Sequence, residues 1–192
     1  MKVRFATSML ALMVVAVGCG RREEPEQPTP VEQPDTAGQG QRALDAARAD
    51  SIRRAEEEAR RMAAEGASRA REILEERVHF DYDESEIRSD AQEVLRRKLD
   101  VLRANPTVQV QITGHADERG SIEYNLALGL RRANAVADYM RGFGVEAQRL
   151  ATETAGEDQP LDPASNEQAW SMNRRAEFRI TAGGENLVMP GN

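Results

Sequence analysis

The run from Thr107 to Val136 narrows what this chain can fold into more than any other. Thr107 to Thr113 alternates cleanly, with Val108, Val110 and Ile112 facing one way, as a strand covered on a single face does. A charged loop bracketed by Gly114 and Gly120 follows, and Ser121 opens a helix whose first-turn N–H groups it can cap. Leu126, Leu130, Ala133, Ala137 and Met140 recur at helical spacing and predict the buried stripe, which leaves Asn125, Gly129 and Arg132 on a neighbouring face. Glycine inside a helix costs roughly 1 kcal/mol against alanine, so Gly129 implies that something approaches the backbone there. A zwitterion suits that gap. Asp117 can hold its ammonium and Arg132 can grip its carboxylate through two parallel hydrogen bonds, a geometry lysine does not supply.

On either side of this run the chain changes character. Residues 1–18 read as a secretion signal, with Lys2 and Arg4 before an apolar run from Met9 to Val17. That run is too short to span a bilayer, which takes about 20 residues. Residues 19–40 carry Pro25, Pro28, Pro30 and Pro34 among Glu and Gln, the composition of a tether that reaches roughly 60 Å at about 3.1 Å per residue. Residues 41–77 are rich in Ala, Glu and Arg and predict a helix. Ala55, Ala59, Met62, Ala70 and Ile73 hint at a coiled-coil seam. Most seam positions are small and Gly66 interrupts them, so a solvated spacer is the simpler reading.

Val78, Phe80 and Tyr82 predict a first strand with one covered side. Ser89-Asp-Ala-Gln92 has the pattern of a capping box for a helix that Asn105-Pro106 ends. Arg149 to Thr154 reads as a third strand, Asn166 to Ser171 as a helical turn with Trp170 packed, and Ala176, Phe178 and Ile180 as one face of a last strand. Residues 183–192 read as a frayed tail. The order implies an α+β domain: a mixed four-stranded sheet with two main helices on one face.

Composition and chemistry exclude several functions. The net charge of −7 argues against a nucleic-acid partner, whose phosphates call for clustered Lys and Arg. The sole cysteine, Cys19, allows no intrachain disulfide. His79, His115 and Asp117 lack the helix spacing that gathers ligands on one metal ion, and His115 reads instead as a hydrogen-bonded loop residue. No nucleophile–base pairing or paired carboxylate stands out, so the reading is a binding protein and not an enzyme, with no cofactor.

The segments Gly114-His-Ala-Asp-Glu-Arg-Gly120, Glu123-Tyr-Asn125, Arg131-Arg-Ala-Asn-Ala-Val136 and Asn173-Arg-Arg-Ala176 resemble the OmpA-like C-terminal domain, most closely in the form carried by peptidoglycan-associated lipoproteins. The resemblance covers about residues 78–182. It implies non-covalent binding of the peptidoglycan stem peptide, with Asp117 and Arg132 holding the amine and carboxylate of its diaminopimelate. It also places Asp81 and Tyr82, within Phe80-Asp-Tyr-Asp83, near the pocket beside Asn125 and Gly129. Arg175 reads either as a ligand contact or as a strand-start ion pair. Family members usually carry an aromatic where this chain has Ala155. The position of Cys19 resembles a lipobox, which implies cleavage before it, acylation of it, and an outer-membrane anchor facing the periplasm. Whether a Tol-type periplasmic protein is also a partner stays open. The alternative is an envelope scaffold that works through protein partners at the 41–77 helix.

Overall fold

The computed structural model describes residues 36–191, so the signal segment, Cys19 and most of the proline-rich stretch lie outside the described residues. The chain divides after Asp45. In the first unit the described residues are helical, with Gln41 Nε2 donating to Asp45 Oδ1 at 3.1 Å. The second unit, Ala46–Asn192, contains the sheet. Along the chain the elements are α1 (Thr36–Glu75), β1 (Val78–His79), α2 (Ser89–Ala104), β2 (Gln109–His115), α3 (Ile122–Gly142), β3 (Leu150–Gly156), α4 (Glu167–Asn173) and β4 (Arg175–Ala182). A 3-10 turn, Ala147–Arg149, leads into β3.

The strand order is β1-β4-β2-β3. β2 and β3 are parallel, because α3 carries the chain back across the sheet between them, and β4 is antiparallel to both β1 and β2. This is the α+β arrangement expected. The alternation of β2 does what it predicts: Val110 and Ile112 are buried in the core with Leu95, Leu99 and Leu102 of α2 and Val136 and Met140 of α3. Ser121 caps α3 by accepting from the Tyr124 N–H at 3.2 Å.

The second half of the expected α3 stripe is buried in the core at Ala133, Ala137 and Met140, but the first half differs. Leu130 is 39% exposed, whereas Asn125, Leu128, Gly129, Arg132 and Val136 are buried. The helix is turned so that its glycine faces the sheet. A β-carbon on Gly129 would lie 2.6 Å from the Gly114 carbonyl oxygen, and one on Gly114 would land on the Gly129 carbonyl. Two backbones meet here, which accounts for both glycines, and no space for a ligand lies beside Gly129.

Other expectations shift for local reasons. Ser89 makes no capping bond; α2 starts from Arg88, and Asp90 Oδ1 accepts from the Ala91 N–H at 2.9 Å. β1 stops at His79, and Asp83, in the left-handed region at φ 57°, turns the chain so that Tyr82 is 56% exposed. The tail is docked, with Leu187 buried and Asn105 exchanging two hydrogen bonds with the backbone of Val188, at 2.9 Å each.

The core also reaches further toward the N-terminus than residue 78. Ala70 and Leu74 of α1 are buried in it. Lys98, itself fully buried, donates to the carbonyls of Ile73 and Leu74 at 2.8 Å each and lies 3.9 Å over the Phe178 ring. A cation at a helix C-terminus satisfies carbonyls that have no intrahelical partner. Burial pushes the Lys98 ammonium down to about 7. Arg97 pairs with Glu76 at 2.7 Å beside it.

His115 ends β2 with 1% exposure, and neither ring nitrogen has a hydrogen-bond partner among the described residues. It is not the hydrogen-bonded loop residue expected. Its Nε2 lies 3.9 Å from Glu177 Oε2. Burial, reinforced by the charge of Arg175, pushes its pKa down to about 4, so it folds neutral.

Three outcomes follow from this packing. Lys98→Met leaves the α1 carbonyls buried without donors and should lower stability by about 1–3 kcal/mol while speeding amide hydrogen exchange over residues 70–75; unchanged exchange would show that the cap is dispensable. Gly129→Ala should destabilise by about 1–3 kcal/mol in a chemical melt despite its better helix propensity, and a rise in stability would refute the backbone contact. His115 binds a proton in the unfolded chain below about pH 6.5 but in the folded one only near 4, so stability falls as pH drops through that window, by about 3 kcal/mol at most. His115→Gln should flatten that part of the stability curve relative to the native protein, and parallel curves would exclude the effect.

Candidate functional site

Where the β1–α2 connection, the end of β2 and the first turns of α3 converge, they enclose a cleft of about 100 Å³ lined by Tyr82, Asp83, Asp117, Arg119, Gly120, Tyr124, Asn125, Leu128 and Arg132. Its floor is Arg132, which is fully buried and not partly exposed as a rim residue would be. Nε donates to the Glu84 carbonyl at 2.8 Å, Nη1 to that of His115 at 2.7 Å and Nη2 to that of Asp81 at 3.0 Å. One side chain thus ties the β1–α2 connection to the end of β2. Among the described residues no carboxylate pairs with it directly. Burial pushes its pKa down to about 10, opposed by the nearby charge of Asp117, so it stays a cation at neutral pH. A guanidinium has five N–H groups. The three carbonyls take one each, leaving one on Nη1 and one on Nη2 for a carboxylate.

Asp117 is 4% exposed and is held on two sides. Arg119 grips it with Nε at 3.0 Å and Nη2 at 2.7 Å, and Arg174 reaches it with Nη1 at 3.3 Å. Burial works to raise the Asp117 pKa, yet the Arg119 and Arg174 bonds outweigh it and hold the carboxyl below its ordinary range. The Arg119 guanidinium contacts two rings, 3.9 Å from the centroid of Tyr82 and 4.2 Å from that of Trp170. Trp170 is half-buried and donates its indole N–H to Glu118 at 3.0 Å. Asn125 braces the loop from α3, donating to the carbonyls of Asp117 at 3.1 Å and Arg119 at 3.2 Å and to the Glu157 carboxylate. At the other rim the Tyr124 hydroxyl donates to Asp83.

Of the residues singled out from sequence, the cleft brings together Tyr82, Asp117, Asn125 and Arg132. Gly129 is outside it, against β2. Asp81 contributes its main-chain carbonyl to Arg132 while its carboxylate pairs with Arg88 at 2.8 Å. Arg175 is an ion pair at the start of β4, with Nε donating to Glu177 at 2.8 Å and Nη2 to the Gln159 carbonyl at 3.0 Å, and it does not line the cleft. Asp83 belongs to the Phe80-Asp-Tyr-Asp83 segment expected near the pocket, whereas Arg119, Tyr124 and Arg174 were missed. Arg174 was the more legible, since it sits in the Asn173-Arg-Arg-Ala176 segment, but nothing in the pattern says which arginine turns inward. A larger open groove of about 470 Å³ borders Glu153, Asp158 and Glu177 and contains none of the residues expected at the site.

The profile of the OmpA family matches residues 79–174. The chain is 45% identical over 101 residues to a peptidoglycan-associated lipoprotein of Agrobacterium fabrum, covering 53% of this chain and 57% of that one. To that of Haemophilus influenzae it is 42% identical over 99 residues, covering 52% and 65%. It therefore spans only 57% to 60% of the length of the first such relatives. Among solved structures, the peptidoglycan-associated lipoprotein from Burkholderia pseudomallei superposes with a TM-score of 0.53 at 34% identity, over 54% of this chain and 88% of that one. The C-terminal domain of MotB from Helicobacter pylori gives a TM-score of 0.52 at 19% identity, over 56% and 84%, a likeness of fold alone. With the family profile matching half of its 192 residues, and with a solved relative covered over most of its length, this chain belongs to the OmpA family.

Proposed function

We propose that the protein is a peptidoglycan-binding module that reads the zwitterionic end of diaminopimelate in the stem peptide, and that a lipid on Cys19 fastens it to the outer membrane. The observation that carries the reading is Arg132: a buried cation on the cleft floor with two N–H groups to spare and no carboxylate of the protein paired to it. A desolvated guanidinium in that state favours a ligand carboxylate strongly. Asp117, on the same cleft, supplies the opposite charge for an ammonium. The names of the relatives, peptidoglycan-associated lipoproteins from several bacteria, support peptidoglycan as the partner and a lipid as the anchor. Binding here is recognition without chemistry: the cleft offers two fixed charges and a braced loop, and the ligand is held and not converted.

The protein should co-sediment with purified peptidoglycan, and free diaminopimelate should release it. Asp117→Asn, which keeps shape and removes charge, should weaken retention by at least about tenfold. Arg132→Lys has too few donors for three carbonyls and a ligand, so it should lose binding and thermal stability together, contrary to the behaviour of a rim residue. Undiminished retention of the Asp117→Asn protein, or no release by diaminopimelate, would overturn this reading.

A further inference from the structure

The cleft is not balanced. Arg132 has no carboxylate partner, whereas Asp117 has Arg119 and Arg174. The two arginines on Asp117 differ in their freedom to leave. Arg174 is 7% exposed and is also fixed to the Phe80 carbonyl at 3.2 Å and to Glu167 at 2.7 Å. Arg119 is 28% exposed, belongs to the loop before α3, lines the cleft, and leans on the exposed ring of Tyr82. Its Nη1 is also 3.6 Å from Glu167 Oε2, a second carboxylate beside its present place.

An ammonium cannot reach Asp117 while Arg119 covers it, because the arriving charge would meet Arg119, Arg174 and Arg132 around a single carboxylate. We propose that Arg119 is a resident counter-ion which a ligand ammonium has to displace from Asp117, and that this makes the cleft select ligands carrying both ammonium and carboxylate over simple amines. The inference rests on the zwitterion reading above and adds a specificity-determining residue to it. A simple amine breaks a two-pronged ion pair and replaces it with a single contact. A zwitterion does the same, but its carboxylate also fills the two free N–H positions of Arg132 and brings a negative charge toward the displaced guanidinium. Lysine side chains of other proteins, which present an ammonium without an adjacent carboxylate, are rejected by the same device.

Trp170 makes the displacement visible, because it is the only tryptophan in the chain and stacks on the Arg119 guanidinium. Calorimetric titration of the protein with diaminopimelate and with cadaverine, its analogue without carboxylates, should show cadaverine binding at least about tenfold more weakly. Trp170 emission should change as diaminopimelate binds. Arg119→Gln should tighten cadaverine binding by about fivefold or more, shrink the preference for diaminopimelate, and abolish the ligand-induced change in Trp170 emission. Arg119→Lys, a cation without the two-pronged grip, should fall between the two proteins. A preference that survives undiminished in both variants, or a Trp170 signal that ignores saturating diaminopimelate, would overturn the proposal while leaving the zwitterion reading in place. Absence of diaminopimelate binding by the native protein would sink both.

Discussion

A buried guanidinium bonded to main-chain oxygens is the interaction on which the rest of this domain depends. Arg132 projects from α3 into the space between two connections and accepts no carboxylate as its price of entry; it uses the carbonyls of Asp81, Glu84 and His115 instead. Two of those oxygens lie in the β1–α2 connection and the third at the last residue of β2, so the cation and the backbone around it each reduce the other's desolvation cost. The same side chain closes the fold at this end of the sheet and floors the cleft. Building the site and stabilising the loops around it are therefore one event.

The device recurs. Lys98 satisfies the last carbonyls of α1, and Arg149 donates to the carbonyls of Leu102 at 3.0 Å, Asn105 at 2.8 Å and Val108 at 2.8 Å, where α2 gives way to β2. A chain that is 31% charged and only 4% aromatic fixes these connections with cations more than with large rings. Two of the three sit where helices end, the position at which the backbone dipole favours positive charge. Only Arg132 faces a cleft. Lys98 has the further effect of joining the end of α1 to the sheet, so what looks in isolation like a solvated helix finishes as part of the core.

The cleft's electrostatics follow from which charges were matched internally. Asp117 is bound so closely that its carboxyl stays ionised despite burial, and Asn125 braces its loop through two main-chain carbonyls. Arg132 stays ionised as well, but its compensation is made of dipoles, which leaves its net charge in place. One pole of the cleft is thus neutralised within the protein and the other is not. Aromatic rings at Tyr82 and Trp170 pack against the neutralising arginine.

Much of this was readable before any coordinates. The alternation of Val108, Val110 and Ile112, the Ser121 cap and the Asn105-Pro106 stop determine element type and order, because these signals act over a few residues of backbone. The spacing of Asp117, Asn125 and Arg132 likewise brings them to one end of one strand–loop–helix unit. The spacing of Ala133, Ala137 and Met140 also marks the buried side of the later turns of α3, while tertiary structure alone decided how its first turns face the sheet. Apolar Leu130 points outward while Asn125, Gly129 and Arg132 point in, since close approach of Gly114 and Gly129 outweighs the apolar stripe. It also decided that Arg174 and not Arg175 meets Asp117, that Arg119 covers the acid, and that Lys98 caps α1. In each of these the partner is distant in the chain, and several of the partners are main-chain carbonyls. Every residue carries that group, so no pattern of side chains records which one a buried cation will find.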